Sequence, residues 1–304
     1  MKPPTTLTPN VLMPNPLIGV GLYLLAYTVM PFMDASAKYL SAEMSVMQVA
    51  WGRYFFHLMF LLPFVINRYG VQALKPDRFW LQLLRGAVML VATVTFFAAL
   101  SYSPMIDAQS LAYTAPLLVT ILAPFFLGEK IGPVRIACVA VGFIGTLVII
   151  RPGTQEIVPG TLFALGTGIS YASYTLLTRK LAGTSPPLVT LTFTALVGSI
   201  VLTLALPFFW SGITLIQLLI MIAMGIAGAA AHYFFIKAYD YAEASFLAPL
   251  SYSSIILITV LGYFWFGDFP DVWTWTGCAV IVTAGITISV RERQQRKKKN
   301  AAGI

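Results

Sequence analysis

The chain has 304 residues, of which 58% are hydrophobic and only 10% charged, with a net charge of +8 and a mean hydropathy of +0.82. A soluble domain carries about 25% charged residues. Composition therefore excludes a soluble globular protein and points to a polytopic membrane protein, while two cysteines exclude a disulfide framework or a cysteine metal cluster.

The segment 1–16 is polar and proline-rich. It lacks the short basic region and small-residue cleavage pattern of a signal peptide, so it is expected to be a cytoplasmic N-terminal segment before a retained first helix. A membrane-crossing helix needs about 20 apolar residues. Ten runs qualify: 17–40, 45–67, 79–101, 105–127, 132–150, 159–181, 187–209, 214–238, 243–266 and 271–290. The breaks between them carry loop chemistry, as in Lys75-Pro76-Asp77, Arg151-Pro152-Gly153, Ser185-Pro186-Pro187 and Gly267 to Asp271.

Part of the chain repeats. FFAALSYSPMIDAQSLAYTAPLLVTILAPFFLGE at 96–129 returns at 235–268 as FIKAYDYAEASFLAPLSYSSIILITVLGYFWFGD. The offset sets Tyr102 on Tyr241, Tyr113 on Tyr252 and Gly128 on Gly267, and after a one-residue slip Gly145 on Gly285. The expected fold is all-α, with ten transmembrane helices in two inverted five-helix repeats at 17–153 and 154–290. Five crossings are odd in number, so the second unit enters the bilayer the other way up. That plan puts a substrate site near the midplane, where the halves meet.

With the N-terminus inside, most of the 19 basic residues lie in inside segments, and outside segments hold only Lys38 and Arg151. Both termini are then cytoplasmic, and the tail 291–304, with RERQQRKKK, is a basic anchor near anionic lipid. No folded basic domain accompanies the tail, so nucleic acid is not an expected partner. The expected partners are a small-molecule substrate and the lipid bilayer, with a homodimer left open.

Charges inside the apolar runs mark the chemistry. Asp34 and Lys38 lie four apart, share a helix face and can pair, which makes them candidates for ion coupling. Asp34 and Arg53 come at similar depths, ~9 and ~12 Å below the outer ends of their spans. Charges placed there face a partner or a hydrated cavity. Either they line a solute pathway, or they lock two helices as a fixed ion pair. Arg85, near an inner end, is expected to snorkel to the interface, and His57 and His232 to pack. Gln109 and Tyr113 on span four, Tyr171 and Tyr174 on span six and Tyr252 on span nine are candidate pathway residues. A mid-membrane phenol needs a hydrogen-bond partner, and a substrate pocket supplies one. No phosphate-binding loop, HExxH or GxSxG pattern occurs, so neither an enzyme nor a cofactor or metal is expected.

These residues resemble a family. The ten runs in two halves, the stretch at 96–130, GFIGTLVIIRPG at 142–153 and GRYFFHLMFLLPFVINR at 52–68 resemble the EamA-type branch of the drug/metabolite transporter superfamily. MDASAKYLS at 33–41 is similar to the subgroup of riboflavin and S-adenosylmethionine uptake carriers. The second copy departs from the pattern at Asp268, where the family has Glu. The resemblance implies a bacterial inner-membrane carrier working without ATP, with uptake of a flavin- or nucleoside-like metabolite as the leading expectation. Export of amino acids or a metallophore is the alternative within the family. A non-transporting scaffold or lipid-handling enzyme is the alternative outside it.

Overall fold

The computed structural model describes residues 16–76, 78–127, 133–151, 158–181, 184–238, 241 and 248–301. The N-terminal segment, the turn holding Gly128 and the start of predicted span nine lie outside these residues. Eleven helices are described: α1 (Pro16–Ser41), α2 (Val46–Tyr69), α3 (Phe79–Tyr102), α4 (Met105–Ala112), α5 (Ala115–Leu127), α6 (Pro133–Ile150), α7 (Pro159–Lys180), α8 (Pro187–Ala205), α9 (Leu215–Ala238), α10 (Ser254–Phe266) and α11 (Val272–Ala301). Short 3-10 turns cover Val71–Leu74, Leu206–Phe208 and Ala248–Ser253. No strand occurs among the described residues.

The stretches Leu17–Ser41, Val46–Tyr69, Phe79–Tyr102, Pro187–Phe208 and Leu215–Phe235 are long and apolar enough to cross a membrane. The remaining predicted spans depart from that simple form. Predicted span four breaks into α4 and α5 at Tyr113-Thr114. There the Thr114 hydroxyl donates to the Leu111 carbonyl at 2.8 Å, and Pro116, which has no N–H, falls in the first turn of α5. In the described part of predicted span nine a 3-10 turn, Ala248–Ser253, precedes α10. Helix α7 is rich in Ser, Thr and Tyr. Helix α11 runs on through Ala301, carrying the basic tail as a continuation of span ten.

Local chemistry sets the helix ends. The Ser45 side chain accepts from the Met47 N–H at the start of α2. Gly70, at φ 73°, closes α2 with its N–H on the Ile66 carbonyl at 2.8 Å, and Gly267, at φ 71°, closes α10.

Contacts between helices form matching pairs. Helix α1 packs on α9 and α7 packs on α3; α2 packs on α9 and α8 packs on α3. Two further contacts are α2 on α8 and α6 on α11. Glycines permit the closest of these crossings. A Cβ on Gly277 would lie 2.6 Å from the Gly145 carbonyl oxygen, and one on Gly225 would lie 2.9 Å from the His57 backbone nitrogen. The main buried cluster, with Met33, Phe97, Leu100, Leu111, Met221 and Ile258, fills the middle of the bundle. Large apolar side chains such as Phe64, Phe125, Leu204 and Phe264 cover the periphery, which is the surface a lipid solvent calls for.

Candidate functional site

Three polar zones lie inside the bundle. The first is a buried cluster on α1, α2 and α3. Asp34 is 7% exposed and makes no hydrogen bond or ion pair with any described residue. Pro31, one turn earlier in α1, has no N–H for the Tyr27 carbonyl. Arg53 on α2 is 6% exposed and acts on the Asp34 carboxylate through space. Its guanidinium donates to the Thr93 hydroxyl at 2.6 Å and lies 5.4 and 5.6 Å from the Tyr54 and Phe97 ring centroids. The fixed ion pair considered from the sequence is therefore not what holds α1 to α2. Two opposite charges sit near each other, each without a charged contact of its own.

The second zone holds the aromatic repeat mates. Tyr113, at the break between α4 and α5, and Tyr252, in the 3-10 turn before α10, meet edge to face with centroids 5.2 Å apart. The Tyr113 hydroxyl bonds the Ser254 hydroxyl at 2.6 Å. A Cβ on Gly285 would collide with the Tyr252 hydroxyl, so α11 approaches this ring closely. Tyr113 belongs to the same buried cluster as Met33 and Ala35, which flank Asp34 on α1. Gln109 is half-buried on α4, and Tyr113 closes that helix with its N–H on the Gln109 carbonyl at 3.0 Å.

The third zone lies around Arg85. The expected snorkelling of this residue is overturned: it is 4% exposed. Its Nε donates to Thr178 at 2.7 Å, one terminal nitrogen to the Thr190 carbonyl at 3.0 Å and to Thr194 at 2.8 Å, and the other to the Tyr174 hydroxyl at 2.6 Å. The guanidinium also stands 4.5 Å from the Tyr174 ring centroid. The partners come from α7 and α8, so three helices meet on one side chain. Tyr171 is exposed on α7 with its ring 5.6 Å from that of Tyr174, and it does not line the cavity that Tyr174 helps to form. His57 and His232 were assigned to separate packing roles; their rings are 6.1 Å apart, and both line that cavity with Arg53.

At the end of the bundle where α1, α3 and α6 finish, a polar network ties the halves together. Lys38 pairs with Asp268 at 2.8 Å and donates to the Ser103 carbonyl at 2.8 Å. It therefore turns away from Asp34, the partner that helical spacing suggested. Arg151 pairs with Asp271 at 2.7 Å. Thr274 donates its hydroxyl to Asp107 and its N–H to Asp271, both at 2.8 Å. Desolvation works to raise the Asp271 carboxyl, but the Thr274 bonds and the Arg151 charge outweigh it and hold the group below the usual carboxylate range. Nearby, Gln217 donates to Glu43 at 2.8 Å, and Gln48 exchanges bonds with Ser211 at 2.9 Å. Among the described residues no cluster of His, Cys, Asp or Glu could hold a metal ion.

A model of the EamA-like transporter family matches residues 17–151 and again 158–291. The chain is 30% identical over 282 residues to an S-adenosylmethionine uptake transporter of Rickettsia bellii, covering 93% of this chain and 97% of that one. It is 29% identical over 293 residues to a riboflavin transporter of Vibrio cholerae, covering 95% and 98%. A solved crystal structure 21% identical in sequence superposes with a TM-score of 0.64 over 92% of this chain and 97% of its own, a likeness of fold.

Proposed function

The chain belongs to the EamA-like transporter family, and from that premise we propose that it carries a small polar organic metabolite inward across the bacterial inner membrane by alternating access. Ten spans in two inverted units, with both termini cytoplasmic, would provide the frame. The double match of the family model and the paired contacts, α1 on α9 with α7 on α3, support that frame. The substrate class we favour is a nucleoside- or flavin-like compound. The full-length similarity to uptake transporters for S-adenosylmethionine and riboflavin supports it.

One observation carries the site: Asp34 and Arg53 are buried side by side without a contact ion pair. Buried charges are expensive unless paired, and a structural role would have paired them. A substrate with complementary charge supplies the missing partners, and the Tyr113–Tyr252 pair offers aromatic edges beside them. The Lys38–Asp268 and Arg151–Asp271 pairs would close the outer end in this conformation. Opening them, with the halves rocking about the seam, would expose the site to the other side.

The test is uptake into proteoliposomes of a labelled panel containing S-adenosylmethionine, riboflavin and nucleosides. Flux of a panel member well above empty vesicles supports the reading. Flux only into inside-out vesicles reverses the direction, and no flux of any member removes the substrate class.

A further inference from the structure

We infer that the cavity between α2, α7, α8 and α9 is a carboxylate-binding subsite, with Arg53 as its anchor and Tyr174 as its second donor; this rests on the transporter reading and narrows its substrate. The cavity is lined by Arg53, Tyr54, His57, Tyr174, Thr194 and His232 together with apolar side chains, and no Asp or Glu is among its lining. Two of its nitrogens have no hydrogen-bond partner. Arg53 commits one N–H to Thr93, and its buried Nε has no partner. The buried Nε2 of His57 has none either. A native interior rarely leaves such groups unmet without a reason.

Arg85 acts through Tyr174. It gives an N–H to the phenol oxygen, so that oxygen is an acceptor toward Arg85 and its own proton is left for another acceptor at the cavity that Tyr174 lines. Thr194 likewise accepts from Arg85 and passes its proton to the Thr190 carbonyl, so it offers the cavity no competing donor. Arg85 is thus a positioning residue, and its charge adds to that of Arg53 at a cavity that no Asp or Glu lines. Two guanidiniums against the single carboxylate of Asp34 leave one positive charge over. One anionic group on the substrate balances it.

Shape selects among anions. In this closed conformation the space is about 10 Å³, room for about one water. A flat carboxylate can replace that water against the edge of a guanidinium fork, with a small parting of α2 and α8. A tetrahedral phosphate needs more room on every side. Asp34, which is not among the residues lining this cavity, is then left for a cationic group of the same molecule. The site as a whole suits a solute that carries a carboxylate and a cation a few ångströms apart.

The experiment compares S-adenosylmethionine with its decarboxylated analogue, which keeps the nucleoside and both cationic groups. Calorimetric titration of the purified full-length protein should give a Kd ~10–100-fold lower for the carboxylate-bearing compound, the effect of a charge-assisted hydrogen bond. Arg53→Gln should abolish that ratio, whatever it does to the affinity for the decarboxylated analogue. Tyr174→Phe keeps the ring and should lower the ratio ~3–10-fold; it serves where Arg53→Gln fails to fold. Equal affinity for the two compounds, or no affinity for either, overturns the subsite, as does a ratio that survives both substitutions. The same protein in vesicles separates this from the transport reading. Riboflavin flux without carboxylate discrimination leaves the carrier standing and removes the subsite, whereas discrimination in binding with no flux of either solute does the reverse.

Discussion

The Lys38 ammonium on α1 meets the Asp268 carboxylate, 230 positions away in the chain, at 2.8 Å, and both side chains are mostly buried. The contact spans the two halves of the molecule at the end where Arg151 also meets Asp271. A pair of this kind should be energetically coupled. In a cycle of Lys38→Ala, Asp268→Ala and the double variant, thermal unfolding should show a coupling of about 1 kcal/mol. Exchanging the charges, Lys38→Asp with Asp268→Lys, should recover more uptake than either single change. Additive single effects would show that the two residues act apart.

Asp34→Asn should lower uptake ~10–100-fold, the scale of losing a charged hydrogen-bonding partner. The unfolding midpoint should stay level or rise, because a buried carboxylate without a contact partner costs stability. Neutralising Arg53 as well should restore little. Full recovery in the double variant, read in the same vesicles, would make the two residues a structural pair.

Gly225→Ala should separate α2 from α9. Its new Cβ would lie 2.5 Å from the Phe56 Cβ and 2.9 Å from the His57 nitrogen, and backbone cannot swing aside as a side-chain tip can. The expected cost is ~1–3 kcal/mol. Gly21→Ala, also within a helix but with nothing within 4 Å, should be neutral or stabilising by up to ~1 kcal/mol. Midpoints of the two variants in the same detergent give the comparison.

The Arg151–Asp271 contact carries a pH dependence of definite sign. Asp271 is held below the ordinary carboxylate range in the folded protein. Its contribution is therefore full above the unfolded pKa of about 3.9 and is lost as pH falls through the lower folded value. The difference in unfolding midpoint between wild type and Asp271→Asn should hold steady from neutral pH down to about 5 and vanish on further acidification. A difference that changes between pH 8 and 6 would place the responsible group elsewhere.

The apolar runs, their polar breaks and the intramembrane charges Asp34 and Arg53 were readable in one dimension, because span length and the cost of buried charge act locally. Arg85 was misread because its four acceptors come from Tyr174, Thr178, Thr190 and Thr194, 89 to 109 positions away in the chain. Nothing near position 85 announces them. Lys38 shows the same limit: helical spacing offers Asp34, while folding brings Asp268 closer. The break at Tyr113-Thr114 had a visible cause in Thr114 and Pro116, but the surrounding apolar run hid it. His57 and His232 each look like packing residues alone, and only the α2–α9 contact makes them neighbours.

Solute passage beside Tyr113 and Tyr252 is open to one direct measurement. With Cys138 and Cys278 replaced by serine, Tyr252→Cys is labelled by a membrane-impermeant thiol reagent applied to right-side-out and inside-out vesicles, with and without S-adenosylmethionine. Labelling should be slow from the outer side, should speed up from that side when Asp268→Asn loosens the Lys38 contact, and should be slowed by the solute. Equal labelling from both sides, or a rate indifferent to both the solute and Asp268, would contradict a pathway along this seam.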